Sequence, residues 1–332
     1  MSRQMREYGS VRVLLVIAAV LTCASNVLAD GARVDVRHRQ DITNSRYEKL
    51  SGTVQFGDGA SEGSSAFFVL QPKNGAERNG AVLIEVADES QRPMLRLFNR
   101  AGPNPDPESS ADLGDGFLMK YGFTLAWVNS QAALQSFAAW MERSDGAVAA
   151  QHVYIIESPT PGPVLRQFAT DGGGQFKAFR VSAGDGTVGR QTPPEDVRTR
   201  TFLFVGTARE PARFPPPRID ERQFENAVDY WWSMRALLLA FHRWVTADRE
   251  PPRSGEVALP EIAVPLGSYT TSAWVPFSRA VIEERYGSRE NYLAKSRDAA
   301  DSLVRDGYLL YDDVDRVVQR ADDVWYLAFE SR

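Results

Sequence analysis

The chain has 332 residues, 24% of them charged, with a net charge of −5 and a single cysteine. That length can bury one large core or two modest ones. A mildly acidic chain without a basic stripe is a poor nucleic-acid binder, and one cysteine excludes a disulfide framework and a thiolate metal site.

Residues 1–29 read as a secretory signal. Arg3, Arg6 and Arg12 form a positive region, Val13 to Leu21 is a short apolar run, and Val27-Leu28-Ala29 supplies small residues for cleavage. The run is too short to cross a bilayer, which needs about 20 residues. Cys23 offers a lipoprotein alternative, which Thr22 disfavours. Cleavage after Ala29 removes three arginines, one glutamate and Cys23, so the mature chain, residues 30–332, carries a charge of −7 and no thiol. The expected destination is the periplasm or the exterior, with no transmembrane segment.

From Ala32 to Pro72 the pattern is β: residues 34–38 and 50–56 alternate, and 65–71 is nearly continuous in apolar residues. Residues 81–87 and 122–129 read as buried strands, separated by the Pro- and Asp-rich loop around Pro103–Asp115. A helix is predicted over 131–142, with Leu134, Phe137, Ala138 and Met141 at helical spacing and Gly146 closing it. A short strand begins at His152. Glycines and prolines then dominate 163–195 and leave one or two short strands, such as 175–181.

Arg198 to Gly206 is a β-branched and aromatic run that ends in a Gly-Thr turn and leads to Arg209. Loops after such strands carry the chemistry of α/β sheets. After Pro215-Pro216-Pro217 the remaining third is helical. Tyr230, Trp231, Met234, Leu237, Leu238, Phe241, Trp244 and Val245 make so broad an apolar face that their helix must be buried. Ser288 precedes another helix stopped by Gly307, and Asp312 and Asp313 start the last, where acidic charge suits the helix dipole.

Each motif with catalytic potential has a plainer reading. Gly59-Ala60-Ser61-Glu62-Gly63 matches the nucleophile-elbow pattern, but strands flank it on both sides, whereas an elbow opens a helix; it reads as a hairpin loop. His38, His152 and His242 are isolated, without metal-ligand spacing, and a His152, Ser158 and Asp171 triad has no support in spacing. Gly172-Gly173-Gly174 precedes a strand, so it is not a phosphate cradle. Gly114-Asp115-Gly116 reads as a turn, and Trp231-Trp232 as helix core in preference to a sugar or lipid pocket.

Several stretches nevertheless resemble a bacterial "alpha/beta hydrolase domain" family of exported proteins. They are Phe98 to Gly102, Ala111 to Trp127, Pro194 to Arg198, Phe202 to Thr207, Arg235 to Val245, Pro260 to Tyr269 and Glu283 to Leu293. The resemblance covers most of residues 45–325 and implies an α/β-hydrolase-like sheet with a β-rich N-terminal edge and a helical C-terminal third. It also implies three departures. The family's serine-bearing middle segment is shortened to the connection between Gln167 and Thr192. Its histidine after the Gly-Thr turn is Arg209 here. The loops Ala87 to Ser90 and Asn129 to Ala132 differ from their counterparts.

Arginine stays protonated and cannot act as the base. The expectation is therefore an exported, degenerate hydrolase-like domain over residues 30–332, truncated in the middle, with no catalytic residue, metal or cofactor assigned. Asn129, Gln131 and Arg209 are its candidate binding residues, for a small anionic or ester-like ligand. The alternatives are a working serine esterase or amidase, and an interaction module that uses the loop Arg213–Arg218.

Overall fold

A computed structural model of the chain describes residues 33–57, 63–87, 92–104, 106–143, 148–157, 164–170, 176–184, 197–208 and 214–330. Residues 1–29, Ser61, Ser158, Asp171, the Gly172–Gly174 run and Arg209 lie outside them.

The strands β1 (Val34–Asp41), β2 (Tyr47–Phe56), β3 (Gly63–Pro72), β4 (Ala81–Val86), β5 (Thr124–Val128), β6 (His152–Glu157), β7 (Val164–Thr170), β8 (Lys177–Gly184), β9 (Thr199–Val205) and β11 (Gly255–Val257) form one sheet. Their order is β1-β2-β3-β5-β4-β6-β7-β8-β9-β11. The pairings make β2, β4, β5, β6, β8, β9 and β11 point one way and β1, β3 and β7 the other. The stretch 163–195, expected to leave one or two short strands such as 175–181, contributes two, β7 and β8. β7 returns antiparallel along β6, pairing Ile155 with Ala169 and Ile156 with Phe168.

Helices cover both faces, as a largely parallel sheet requires. Phe68, Leu83, Leu125, Trp127, Tyr154, Phe179 and Phe202 point to one face. There they meet α1 (Pro93–Asn99), α2 (Phe117–Lys120) and α4 (Trp231–Ala247). Leu50, Phe67, Val69, Val82, Ile84 and Ala126 point to the other and pack on α3 (Leu134–Glu142). This division follows from the period-2 alternation of the strands.

The C-terminal third adds α5 (Pro260–Ala263), α6 (Arg279–Tyr286), α7 (Arg289–Arg305) and α8 (Val314–Glu330). Ser278 and Ser288 cap α6 and α7 by accepting from the amides of Val281 and Asn291. This third also holds a small sheet in the order β10-β13-β12, made of β10 (Phe224–Glu225), β12 (Gly267–Tyr269) and β13 (Ala273–Pro276). Two- to four-residue strands give too little periodicity to be read from sequence. Trp274, Ile282, Tyr292 and Trp325 join that sheet to α6, α7 and α8 in a separate core cluster.

Arg235 ties the two halves of the chain together. Its side chain is 1% exposed. Nε donates to the Phe98 carbonyl at 2.6 Å, Nη2 to Asp115 at 2.6 Å and Nη1 to Asp313 at 3.3 Å. Its guanidinium also lies over the rings of Phe117 and Trp232. Gly114 makes this possible: φ is +65°, and a Cβ there would overlap the Asn99 carbonyl oxygen. Asp313 is therefore engaged by Arg235, and Asp312 by Lys120 at 2.9 Å, where the sequence suggested a dipole role for both. Trp232 is buried in the core and Trp231 is half-buried.

Replacing Arg235 with Met leaves Asp313 buried without its main cation. We expect a loss of about 3–5 kcal/mol in urea unfolding, partly recovered in the Arg235→Met/Asp313→Asn double variant. A loss under roughly 1 kcal/mol would show that the clasp is dispensable.

Candidate functional site

The carboxyl ends of β4, β5, β6, β8, β9 and β11 share one rim, where ligands bind in open α/β sheets. At β9 the chain leaves Val205 through Gly206, with φ +71°. A Cβ there would press into the Ile262 side chain of α5. Thr207 is fully buried and donates to the Phe204 carbonyl at 3.0 Å. Asn226 donates to the carbonyls of Gly206 (2.7 Å) and Thr270 (2.6 Å) and accepts from the Val228 amide. One amide side chain thereby fixes the turn after β9 against the β12–β13 hairpin.

Two carboxylates are buried beside it. Asp229 accepts from the Trp231 amide at 2.9 Å, ahead of α4. Burial pushes its pKa up, against that hydrogen bond and the charge of Arg320. Glu261, in the first turn of α5, is pushed up by burial to about 7, helped by Asp229 and opposed by Arg320. Arg320, on α8, donates Nη2 to the Ala227 carbonyl at 2.9 Å, and its guanidinium lies 3.6 Å above the Phe214 ring. Burial lowers its own pKa while Asp229 and Glu261 hold it up. A carboxyl that titrates near neutrality has the proton affinity of a general base. Glu261, however, is only 7% exposed.

A second polar group lies at the end of β4. Glu85 is buried and accepts from the Met94 amide at 3.0 Å and from the Trp127 indole at 3.1 Å. Arg92 lies 3.8 Å above the Phe68 ring and 5.4 Å from that of Trp127. Cross-strand register puts Phe68, Trp127 and Glu85 in one row. A single charge inside the apolar run Ala81 to Val86 was the sequence signal for Glu85. Asp229, Glu261 and Arg320 come from three separate segments and gave none.

Asn129 and Gln131 stand exposed on the loop after β5. The Asn129 amide donates to the Ala66 carbonyl at 3.2 Å, and Gln131 opens a 3-10 turn capped by Ser130. Four strands separate β5 from β9, a span of about 24 Å at the usual strand spacing. Asn129 and Gln131 are therefore not grouped with Thr207, two residues before Arg209.

The chain has three histidines, and all are described. His38 is exposed on edge strand β1, and His152 opens β6 at the sheet's amino end. His242, late in α4, has Nδ1 2.8 Å from the Tyr154 hydroxyl and its ring edge-on to Phe123. Burial lowers its pKa to about 4. Around Ser61, the pairing of Phe56 with Gly63 shows that the stretch joins two antiparallel strands. Among the described residues no group of His, Cys, Asp and Glu is placed to hold a metal ion, and no helix is long and apolar enough to cross a membrane.

Residues 254–319 match the family described as "Alpha/beta hydrolase domain". No curated protein and no solved structure matches the chain. The matched stretch runs from β11 into α8 and contains Glu261, Tyr269 and Tyr292; Asp229 and Arg320 fall outside it. Together with the mixed sheet and the helical C-terminal region, it defines an α/β-hydrolase-like fold.

Glu261 gives a pH test. Between pH 4.5 and about 7 the unfolded chain releases this proton and the folded chain keeps it. Stability therefore falls as pH rises through that window and levels off above it. Glu261→Gln should gain on the parent by about 3 kcal/mol between pH 4 and pH 8 in urea unfolding. His242 acts in the opposite sense, losing stability as pH falls from 6.5 to about 4, but it is common to both proteins and cancels. A pH-independent difference would contradict the assignment.

Proposed function

We propose that the mature chain, residues 30–332, is an exported α/β-hydrolase-like protein that binds a ligand and lacks the serine chemistry of a hydrolase. The observation that carries this reading is the placement of the histidines. A serine nucleophile needs an imidazole to take and return its proton. His38 lies on the edge strand, His152 at the amino end of β6, and His242 against Tyr154. Loss of the nucleophile or its base costs a hydrolase roughly 10⁶-fold in rate.

The course of β6 adds support. A nucleophile elbow needs a strand that turns into a helix, whereas β6 is followed by its antiparallel neighbour β7. Export rests on the basic, apolar and small-residue segments before Asp30. In this reading Arg209 offers a permanent positive charge after the Gly-Thr turn for a carboxylate or phosphate.

The purified mature chain should show no covalent labelling by a fluorophosphonate probe. It should also hydrolyse short-chain p-nitrophenyl esters no faster than buffer. Labelling or turnover lost in Ser61→Ala or Ser158→Ala overturns the reading. In a bacterial host the chain should accumulate outside the cytoplasm with Asp30 at its N-terminus, as N-terminal sequencing would report; a cytoplasmic chain that retains residues 1–29 would refute export.

A further inference from the structure

Two Asn-Gly pairs, Asn74-Gly75 and Asn79-Gly80, lie five residues apart in the connection between β3 and β4. In such a pair the glycine nitrogen can attack the asparagine side-chain amide carbon, because no Cβ obstructs it and the backbone turns freely. The fold treats the two pairs differently. Asn74 caps the 3-10 turn Gly75–Glu77, and both Asn74 and Gly75 are exposed. Asn74 Oδ1 accepts from the Ala76 amide at 3.0 Å, a bond that makes the amide carbon more open to attack. Among the described residues neither Asn74 Nδ2 nor the Gly75 N–H has an acceptor. A Cβ on Gly75 would meet nothing within 4 Å, so space is open around that nitrogen. The other bonds of the turn run from the Glu77 amide to Asn74 (3.0 Å) and from the Arg78 amide to Gly75 (3.2 Å). All stay within one exposed turn, which opens at little cost.

Asn79 and Gly80 are half-buried and tied to other segments. Asn79 Nδ2 donates to the Tyr121 carbonyl at 2.9 Å, and its backbone amide donates to the Gly122 carbonyl at 3.0 Å. Its Oδ1 accepts from the Ala81 amide at 2.9 Å. The Gly80 carbonyl accepts from the amides of Gln151 and His152 at 2.8 and 3.0 Å. Gly80 has φ +82°, with the Gln151 side chain against it. Turning the Gly80 nitrogen toward the Asn79 side chain therefore requires opening the junction where β4, β5 and β6 begin.

We propose that Asn74 is a site of spontaneous deamidation and that the fold protects Asn79 from the same reaction. The Gly75 nitrogen bonds to Asn74 Cγ, the Cγ–Nδ2 bond breaks, and Nδ2 leaves as ammonia with the proton that Gly75 gives up. Water then opens the cyclic imide at either carbonyl and leaves an aspartyl or isoaspartyl residue at position 74. Both products add a negative charge to an acidic chain. The isoaspartyl product also lengthens the backbone by a methylene where the turn is capped. The reaction consumes only water and is independent of ligand binding and of serine chemistry.

Trypsin cuts after Lys73 and Arg78, which places the two pairs in separate peptides. The full chain is held in mildly alkaline buffer, folded or in urea, and digested at intervals. Mass spectrometry of the two peptides then reads the exchange of amide for carboxyl. In urea the two sites should convert at similar rates. In the folded chain Asn74 should stay within a few-fold of its urea rate, while Asn79 slows by about a hundredfold as its hydrogen bonds must first break. Gly75→Ala should slow conversion at Asn74 several-fold in both states, with an unchanged melting temperature. The proposal fails if the folded chain protects both sites or neither, if Asn79 converts faster than Asn74, or if Gly75→Ala converts as fast as the parent.

Discussion

The buried guanidinium of Arg235 is the constraint on which the arrangement depends. It reaches the end of α1, the Gly114–Gly116 turn and the start of α8 at once, across separations of 137, 120 and 78 residues. A buried cation with so many partners cannot be satisfied by any one of these segments alone. Its bonds therefore fix the helical C-terminal third on the sheet's apolar face, and with it the position of α4 beneath β8. Aromatic packing completes the joint: Phe179 meets Phe202, Phe241 and Trp244 at 5.1–5.6 Å.

Much of the sheet was legible because its strands obey simple rules. Alternation marked β2, and continuous apolar runs marked β4 and β5, which are buried on both faces. Long amphipathic spacing marked α4, α7 and α8. Three features escaped for physical reasons. β7 lies among glycines and prolines, where local composition argues for loop and only sheet pairing argues for strand, whereas β8 overlaps the strand expected at 175–181. The short β10–β13 strands are too brief to show a period. Register, and hence the shift in β1 between Val36 and His38, has no local signature.

The buried charges were legible only in part. Glu85 and Arg235 each interrupt an apolar pattern, which marks a satisfied polar group in a core. Asp229, Glu261 and Arg320 converge from α4's leading turn, α5 and α8, and convergence of that kind is a property of the fold. The result is an α/β-hydrolase-like sheet whose rim beside β9 holds two carboxyls, Asp229 and Glu261, whose proton affinity is raised by burial. The three imidazoles lie elsewhere and are held by packing or left on an edge.

The central claim is that β6 runs back as a hairpin with β7 where a nucleophile-bearing crossover would leave the sheet. Ile155 and Ala169 are direct antiparallel partners, and such pairs bring Cα atoms to about 4.5–5.5 Å, within disulfide reach. In a Cys23→Ser background, Ile155→Cys/Ala169→Cys should form an intramolecular disulfide under mild oxidation, seen by mass spectrometry, with the folded circular dichroism spectrum retained. Two free thiols in an equally folded protein would contradict the hairpin and reopen the case for an elbow after β6.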